Sequence, residues 1–125
     1  MNSGIMLANG LCMKPTVEEQ MILPLPPTMI WKSIRDMDAY YDQIVKLMHD
    51  IVVPSWTDFK KNIKCLYLLV AVETDIVLGF FIHWKWTDNN DEIQTMTKHY
   101  SCCVSIEETY IKPQMEVFQS LKMIS

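Results

Sequence analysis

Glycine is scarce in this chain, and its scarcity limits the chemistry available. Three glycines occur among 125 residues, and two of them, Gly4 and Gly10, lie within the first ten positions. A loop that holds phosphate through bare backbone N–H groups normally needs several glycines close together. The composition therefore disfavours any mechanism built on a glycine-rich loop.

Positive charge is also in short supply. Eleven Lys and Arg residues stand against fifteen Asp and Glu, which gives a net charge of −4. The only local basic cluster is Lys60, Lys61 and Lys64. Proteins that bind nucleic acids carry larger basic surfaces to neutralise phosphates. We therefore expect no nucleic-acid partner.

Long hydrophobic runs and a cysteine framework are missing as well. The longest apolar runs, "CLYLLVAV" and "IVLGFFI", are far shorter than the roughly 20 residues of a spanning helix, and no secretory signal is recognisable at the N-terminus. The cysteines (Cys12, Cys65, Cys102 and Cys103) lack the spacing of a disulfide framework. Adjacent Cys102 and Cys103 are expected to point to opposite faces of a strand, which suits no shared metal. We expect no membrane span and a reducing, intracellular setting.

What is present suffices for one packed domain, because half of the residues are hydrophobic and 21% are charged. Residues 1–28 show no sustained period and end in "LPLPPT", and prolines at this density prevent a regular helix. We predict an extended N-terminal arm over 1–28 and an α+β domain over 29–125.

Periodicity predicts the elements of that domain. "TMIWKSI" indicates a first strand; "RDMDAYYDQIVKLMHDIVVP" indicates an amphipathic helix, capped by Asp36 or Asp38 and ended by Pro54. "PSWTDFKKNI" indicates a second helix, and "CLYLLVAVETDIVLGFFIHWKW" an antiparallel hairpin buried on both faces. A further strand is predicted from His99 to Ile111, with a β-bulge near Glu107 and Glu108 where the alternation slips. A short helix after Pro113 completes a mostly antiparallel order, β-α-α-β-β-β-short α.

Three motifs outside this pattern have ordinary explanations. His83, His99, Cys102 and Cys103 could suggest zinc, but His99 and Cys102 are predicted to face opposite sides of one strand. The same geometry disfavours Cys102 as a nucleophile paired with His99. "TDNNDE" lacks the glycine and the distal glutamate of a calcium loop. The four tryptophans are expected to be mainly core, with some interface use: Trp31, Trp56, Trp84 and Trp86.

The element order, with "YLLVAVETDIVLGFFI" and Gly79 in its glycine position, resembles the first half of the GNAT acetyltransferase fold. "SIEETYIKP" is similar to that family's fourth strand. The resemblance covers residues 30–116 and places Glu107 and Glu108 where such enzymes often keep a general base.

The family's cofactor motif, Arg/Gln-x-x-Gly-x-Gly/Ala, is degenerate in this chain. Counted from Pro113, Glu116 occupies the Arg position, Gln119 the first Gly position and Leu121 the second. A carboxylate and bulky side chains would oppose a pyrophosphate at these positions. The family's fifth strand and its frequent general-acid tyrosine have no counterpart before Ser125. The resemblance therefore implies a C-terminally truncated, non-catalytic domain with no cofactor and no metal.

Two hypotheses follow from this resemblance. The first is a structural or interaction protein, similar to small GNAT-like virion proteins of short-tailed bacteriophages. It would bind a protein partner or form a homo-oligomer through the arm and the 99–111 strand. The alternative is an acyl-CoA-dependent N-acetyltransferase with an atypical cofactor loop, which would bind acetyl-CoA near Glu107 to Glu116.

Overall fold

The computed structural model of the chain describes residues 5–6, 12–13, 21–52 and 55–121, with only the backbone described at 5–6, 12–13 and 34–35. These residues include six strands: β1 Ile5–Met6, β2 Cys12–Met13, β3 Met29–Ser33, β4 Ile63–Ala71, β5 Val77–Thr87 and β6 Ile93–Ser101. The helices are a 3-10 helix Ile34–Tyr40, α1 Tyr41–Leu47, α2 Trp56–Asn62, a short turn Val104–Ile106, a π-helical turn Glu107–Ile111 and α3 Lys112–Ser120. The α+β class is confirmed.

The main sheet has the strand order β3-β4-β5-β6, and every neighbouring pair is antiparallel. The predicted hairpin is confirmed as β4 and β5. All six residues from Gly79 to Trp84 are buried, as expected for a strand whose two faces are both covered. Successive side chains of a strand point to opposite faces, so β5 contributes to two separate cores.

The first core lies between the sheet and the helices that precede β4. Ile44 of α1 and Phe59 of α2 pack there against Phe80 and Ile82 of β5. Ser55 caps α2, because its hydroxyl oxygen accepts the Asp58 backbone N–H at 3.4 Å. The buried hydrophobic side chains of this first core are Met37, Tyr40, Ile44, Met48, Phe59, Ile63, Leu66, Leu68, Val70, Val77, Phe80, Ile82, Trp84 and Tyr100.

The first predicted helix is shorter than its sequence pattern. Residues 34–40 form a 3-10 helix, and α1 ends at Leu47, before the predicted stop at Pro54, which lies outside the described residues. Asp36 accepts the Ser33 backbone N–H at 3.1 Å and so serves as the start signal. Asp38 has a different role, because its carboxylate binds the Trp56 indole N–H at 2.8 Å and Lys60 Nζ at 2.9 Å.

The second core lies on the opposite face of the sheet. Ile111, Met115 and Phe118 of the C-terminal helical residues pack there on Leu69 and Phe81, which are fully buried. The partly buried side chains around them are Met21, Ile22, Leu25, Met29, Trp31, Cys65, Tyr67, Leu78, Ile106, Tyr110 and Val117. The sheet is therefore sandwiched between two layers.

The predicted strand from His99 to Ile111 is wrong beyond Ser101. β6 begins earlier, at Ile93, and the chain is helical from Val104 to Ser120. No bulge occurs at Glu107 and Glu108, which open the π-helical turn instead. The register irregularities fall in the β4–β5 ladder, between Ile63 and Cys65 and between Leu69 and Val70.

Pro113 accounts for the unusual helical turn before it. A proline has no N–H, so the carbonyl of Thr109, four residues earlier, loses its normal helical donor, and the ring crowds that carbonyl. Distortions of this kind locally widen a helix. The alternation slip near Glu108 was therefore a sign of helix, with apolar residues meeting the sheet every three or four positions.

Part of the predicted arm is fixed to the domain of its own chain. The Gln114 side chain is fully buried; its Oε1 accepts the Leu23 N–H at 2.7 Å, and its Nε2 donates to the Met21 carbonyl at 3.1 Å. The Thr28 carbonyl accepts the Val72 N–H at 2.9 Å. Residues 22–26 have no regular secondary structure, and Ile5–Met6 and Cys12–Met13 form a short antiparallel ladder.

Candidate functional site

The corner after β6 brings together residues from two elements. His99 is near the end of β6, and Glu107 begins the π-helical turn. His99 Nδ1 and Glu107 Oε1 are 2.7 Å apart, and both side chains are partly exposed. The N–H direction at Nδ1 does not align with that oxygen, so the two atoms approach closely without a proper hydrogen bond.

The other predicted site residues do not join this corner as a set. Glu108 is exposed, whereas Pro113, Glu116 and Gln119 lie within α3. Glu116 and Gln119 are exposed to solvent in the second and third turns of that helix. Backbone N–H groups inside a helix are used by its own hydrogen bonds. These three positions therefore do not form a phosphate loop; the turn between strand and helix is at Cys102 and Cys103.

The two adjacent cysteines occupy that turn, and their arrangement differs from the prediction. Both are exposed and unoxidised, and their Sγ atoms are 3.9 Å apart. They follow Ser101, the last residue of β6, so the opposite-faces rule for strands does not apply to them. The Ser105 hydroxyl, 3.3 Å from Cys103 Sγ, and the Ile106 backbone N–H lower the pKa of the Cys103 thiol. Partial desolvation of its sulfur raises the pKa of the Cys102 thiol.

The "TDNNDE" loop is a structural turn. Asp88 Oδ1 accepts the Asn90 and Glu92 backbone N–H groups at 2.9 and 3.0 Å, and these bonds hold the Asp88 pKa below its usual range. Asp91 adopts a left-handed φ of 59°. Within the described part of the chain, no three His, Cys, Asp or Glu side chains cluster as a metal would require.

A pocket of about 580 Å³ opens beside the first core. Trp84, Trp86 and Phe59 provide aromatic surface, and Asp58 and Asn62 provide polar groups. Trp84 is buried and Trp86 partly buried, while Trp31 packs against the second core, in line with mainly structural tryptophans. Nothing in the lining defines a ligand class.

β6 is an edge strand of the main sheet. Cys102 N–H donates to Leu78 O at 2.8 Å, which continues the ladder with β5. Hydrogen-bonding direction alternates along an antiparallel strand. The backbone groups of the odd-numbered residues, including Ile93 and Thr95, therefore point away from β5. Among the described strands, none pairs with this side.

The sequence of β6 itself carries few of the features that usually protect an edge strand. It has nine residues, no proline and an uninterrupted register with β5. Its one lysine, Lys98, is bound to Asp50 at 2.7 Å, and Ile93 is 68% exposed. Natural edge strands are commonly blocked by free lysines, prolines or bulges. The opposite edge, β3, has five residues and includes Lys32.

Comparisons of this chain with protein-family models, curated proteins and solved structures find no match. In the described ranges, no helix has both the length and the apolar character needed to cross a membrane.

Sequence reasoning found Glu107 but missed its contact with His99, because it placed Glu107 on a strand. It also missed the proximity of the two cysteine sulfur atoms. The available signal was the spacing of Ile111, Met115 and Phe118, which is typical of a helix face.

Proposed function

We propose that this protein is a non-catalytic structural or interaction protein that assembles through the outer edge of β6, with a second copy of the chain as its partner. The observation that carries the proposal is that none of the described strands pairs with the outer side of the nine-residue strand β6, at whose start Ile93 is exposed. Backbone groups along such an edge offer a template for an added strand.

The charged residues of β6 are compatible with the binding of a second copy of the chain at this edge. An antiparallel β6–β6 pairing is self-complementary, because the same edge serves on both subunits. The strand carries no acidic residue, and its Lys98 is already neutralised by Asp50. Pairing two copies therefore brings no unpaired like charges into direct opposition. The resemblance to GNAT-like virion proteins adds an intracellular setting, with assembly into a virus particle, to this proposal.

The assembly is tested on the full chain by size-exclusion chromatography with light scattering. We expect the unaltered protein to elute as a dimer. Thr95→Pro removes an outward N–H, and Ile93→Lys adds charge to the edge, so each should weaken the dimer by roughly tenfold or more.

The matched control for the edge variants is Ile30→Lys, on the exposed part of the opposite edge strand β3. It should leave the dimer intact. Circular dichroism shows whether each variant remains folded. A monomeric unaltered protein, or a dimer that tolerates both β6 substitutions, would refute assembly through this edge.

The competing function, an acyl-CoA-dependent N-acetyltransferase with an atypical loop, is favoured by one contact, His99 with Glu107 at 2.7 Å. A histidine next to a carboxylate can act as a general base. The proposal instead predicts no binding of acetyl-CoA, because no glycine lies in the turn at Cys102 and Cys103 to allow close phosphate approach.

Isothermal titration with millimolar acetyl-CoA separates the two functions. We expect no saturable heat. Saturable binding, together with acetyl transfer that Glu107→Gln abolishes and Glu108→Gln retains, would establish the enzyme and reject the non-catalytic proposal. Glu108 is the suitable control because it is the neighbouring carboxylate and is exposed.

A further inference from the structure

The two cysteines after β6 are held in a defined turn. The Cys102 N–H donates to Leu78 O at 2.8 Å, and the Ser101 hydroxyl donates to Cys103 O at 2.9 Å. These bonds fix the backbone on both sides of the peptide that joins the cysteines. Both side chains remain exposed. The sulfur atoms therefore lie close together on a surface that solutes can reach.

The distance between the two sulfur atoms matches that of two thiolates bound to one metal ion. The Sγ atoms are 3.9 Å apart, whereas a disulfide requires about 2.05 Å. Two thiolates bound about 2.3 Å from one tetrahedral ion lie about 3.8 Å apart. An ion could thus bridge the two sulfur atoms with almost no movement of either side chain.

We propose that Cys102 and Cys103 form a two-thiolate chelating site for a soft, tetrahedral divalent cation of the zinc and cadmium class. On binding, each thiol loses its proton to solvent and two metal–sulfur bonds form, while the six-coordinate hydrated ion releases four of its waters and becomes tetrahedral. No electron is transferred. The other coordination positions keep water, because the described residues place no third His, Cys, Asp or Glu in the group.

The surroundings of Cys103 favour the thiolate that binding requires. Hydrogen bonds from Ser105 and from the Ile106 backbone stabilise its charged form and lower its pKa. A bound metal ion lowers the pKa of a thiol more strongly than these hydrogen bonds do. It would deprotonate Cys102 as well, despite the partial desolvation that raises the pKa of that thiol. Binding should therefore strengthen as the pH rises, since two protons are displaced.

The test is a titration of the reduced full chain with Cd²⁺, followed by the ultraviolet absorption of cadmium–thiolate bonds. We expect one ion per chain. Cys102→Ser and Cys103→Ser should each lower the affinity by about 100-fold, because a chelating pair becomes a single ligand. Cys65→Ser is the matched control and should leave the affinity unchanged. Zn²⁺ should displace Cd²⁺ from the same site.

A second measurement requires no substitution. Bound Cd²⁺ should protect Cys102 and Cys103 in the unaltered chain from alkylation by iodoacetamide, as read by peptide mass spectrometry. The proposal fails if the two sites are alkylated equally fast with and without the ion. It also fails if both serine variants bind Cd²⁺ as tightly as the unaltered protein.

Discussion

Gly79→Ala should destabilise the protein by about 1–3 kcal/mol. A Cβ at this position would lie 2.7 Å from the Tyr100 carbonyl oxygen and 3.0 Å from Cγ1 and Cδ1 of Ile111. The carbonyl belongs to the neighbouring strand and cannot move without disturbing the β5–β6 ladder. Alanine removes the roughly 0.5–1 kcal/mol entropic disadvantage of glycine in a strand, but the contact with the backbone outweighs this gain.

Thermal and urea unfolding of Gly79→Ala would measure the effect, with Ile76→Ala as the control because Ile76 is half-exposed in the nearby hairpin turn. We expect the control to change the unfolding free energy by less than about 0.5 kcal/mol. Unchanged stability of Gly79→Ala would mean that β6 and the residues around Ile111 do not approach β5 as closely as described.

Gln114→Leu should destabilise the protein by about 1–3 kcal/mol and release the segment that precedes β3. Leucine has a similar volume but cannot replace the two hydrogen bonds of this fully buried amide. The Leu23 N–H and the Met21 carbonyl then lose their partner. Since Leu23 is 38% exposed, water can reach the freed groups, and much of the cost should appear as local opening.

Hydrogen exchange of the Leu23 amide distinguishes this local opening from global unfolding. In Gln114→Leu, we expect the exchange rate of the Leu23 amide to rise by more than the loss of global stability explains. The exchange rates of the β5 amides should rise only as much as the loss of global stability predicts. Gln119→Leu, an exposed position on the same helix, is the control. Equal protection of the Leu23 amide in both variants would show that the glutamine does not anchor the segment.

The regions that sequence predicted well are those where one local pattern dominates. The β4–β5 hairpin is marked by two apolar runs around a polar turn, and α2 by its serine cap. Two long-range hydrogen bonds also hold the turn between β4 and β5, and no local sequence pattern predicts them. Tyr40 donates to Asp75 Oδ1 at 2.6 Å, and the Val77 N–H donates to Gln43 Oε1 at 2.7 Å. These contacts join residues more than thirty positions apart.

The region after Ser101 was mispredicted because two patterns compete there. Val104, Ile106 and the intervening serine alternate like a strand, and β-branched residues favour strands. The helix forms because Ile111, Met115 and Phe118 can cover Leu69 and Phe81 on the second face of the sheet. That advantage depends on a surface built from distant residues, so local propensity is overridden by packing. The placement of Glu107, Cys102 and Cys103 on a strand was wrong for the same reason, since all three lie at this junction.

The π-helical turn at Glu107–Ile111 also determines the rotational phase of everything after it. Each residue of an ordinary α-helix advances by about 100° around the axis. The wider turn accommodates one additional residue before the normal pitch resumes. Converting this turn to an ordinary α-helix without removing a residue would rotate Met115 and Phe118 about a quarter of a revolution off the sheet and bring polar neighbours inward. The wide geometry of this single turn therefore keeps the two side chains in the second core.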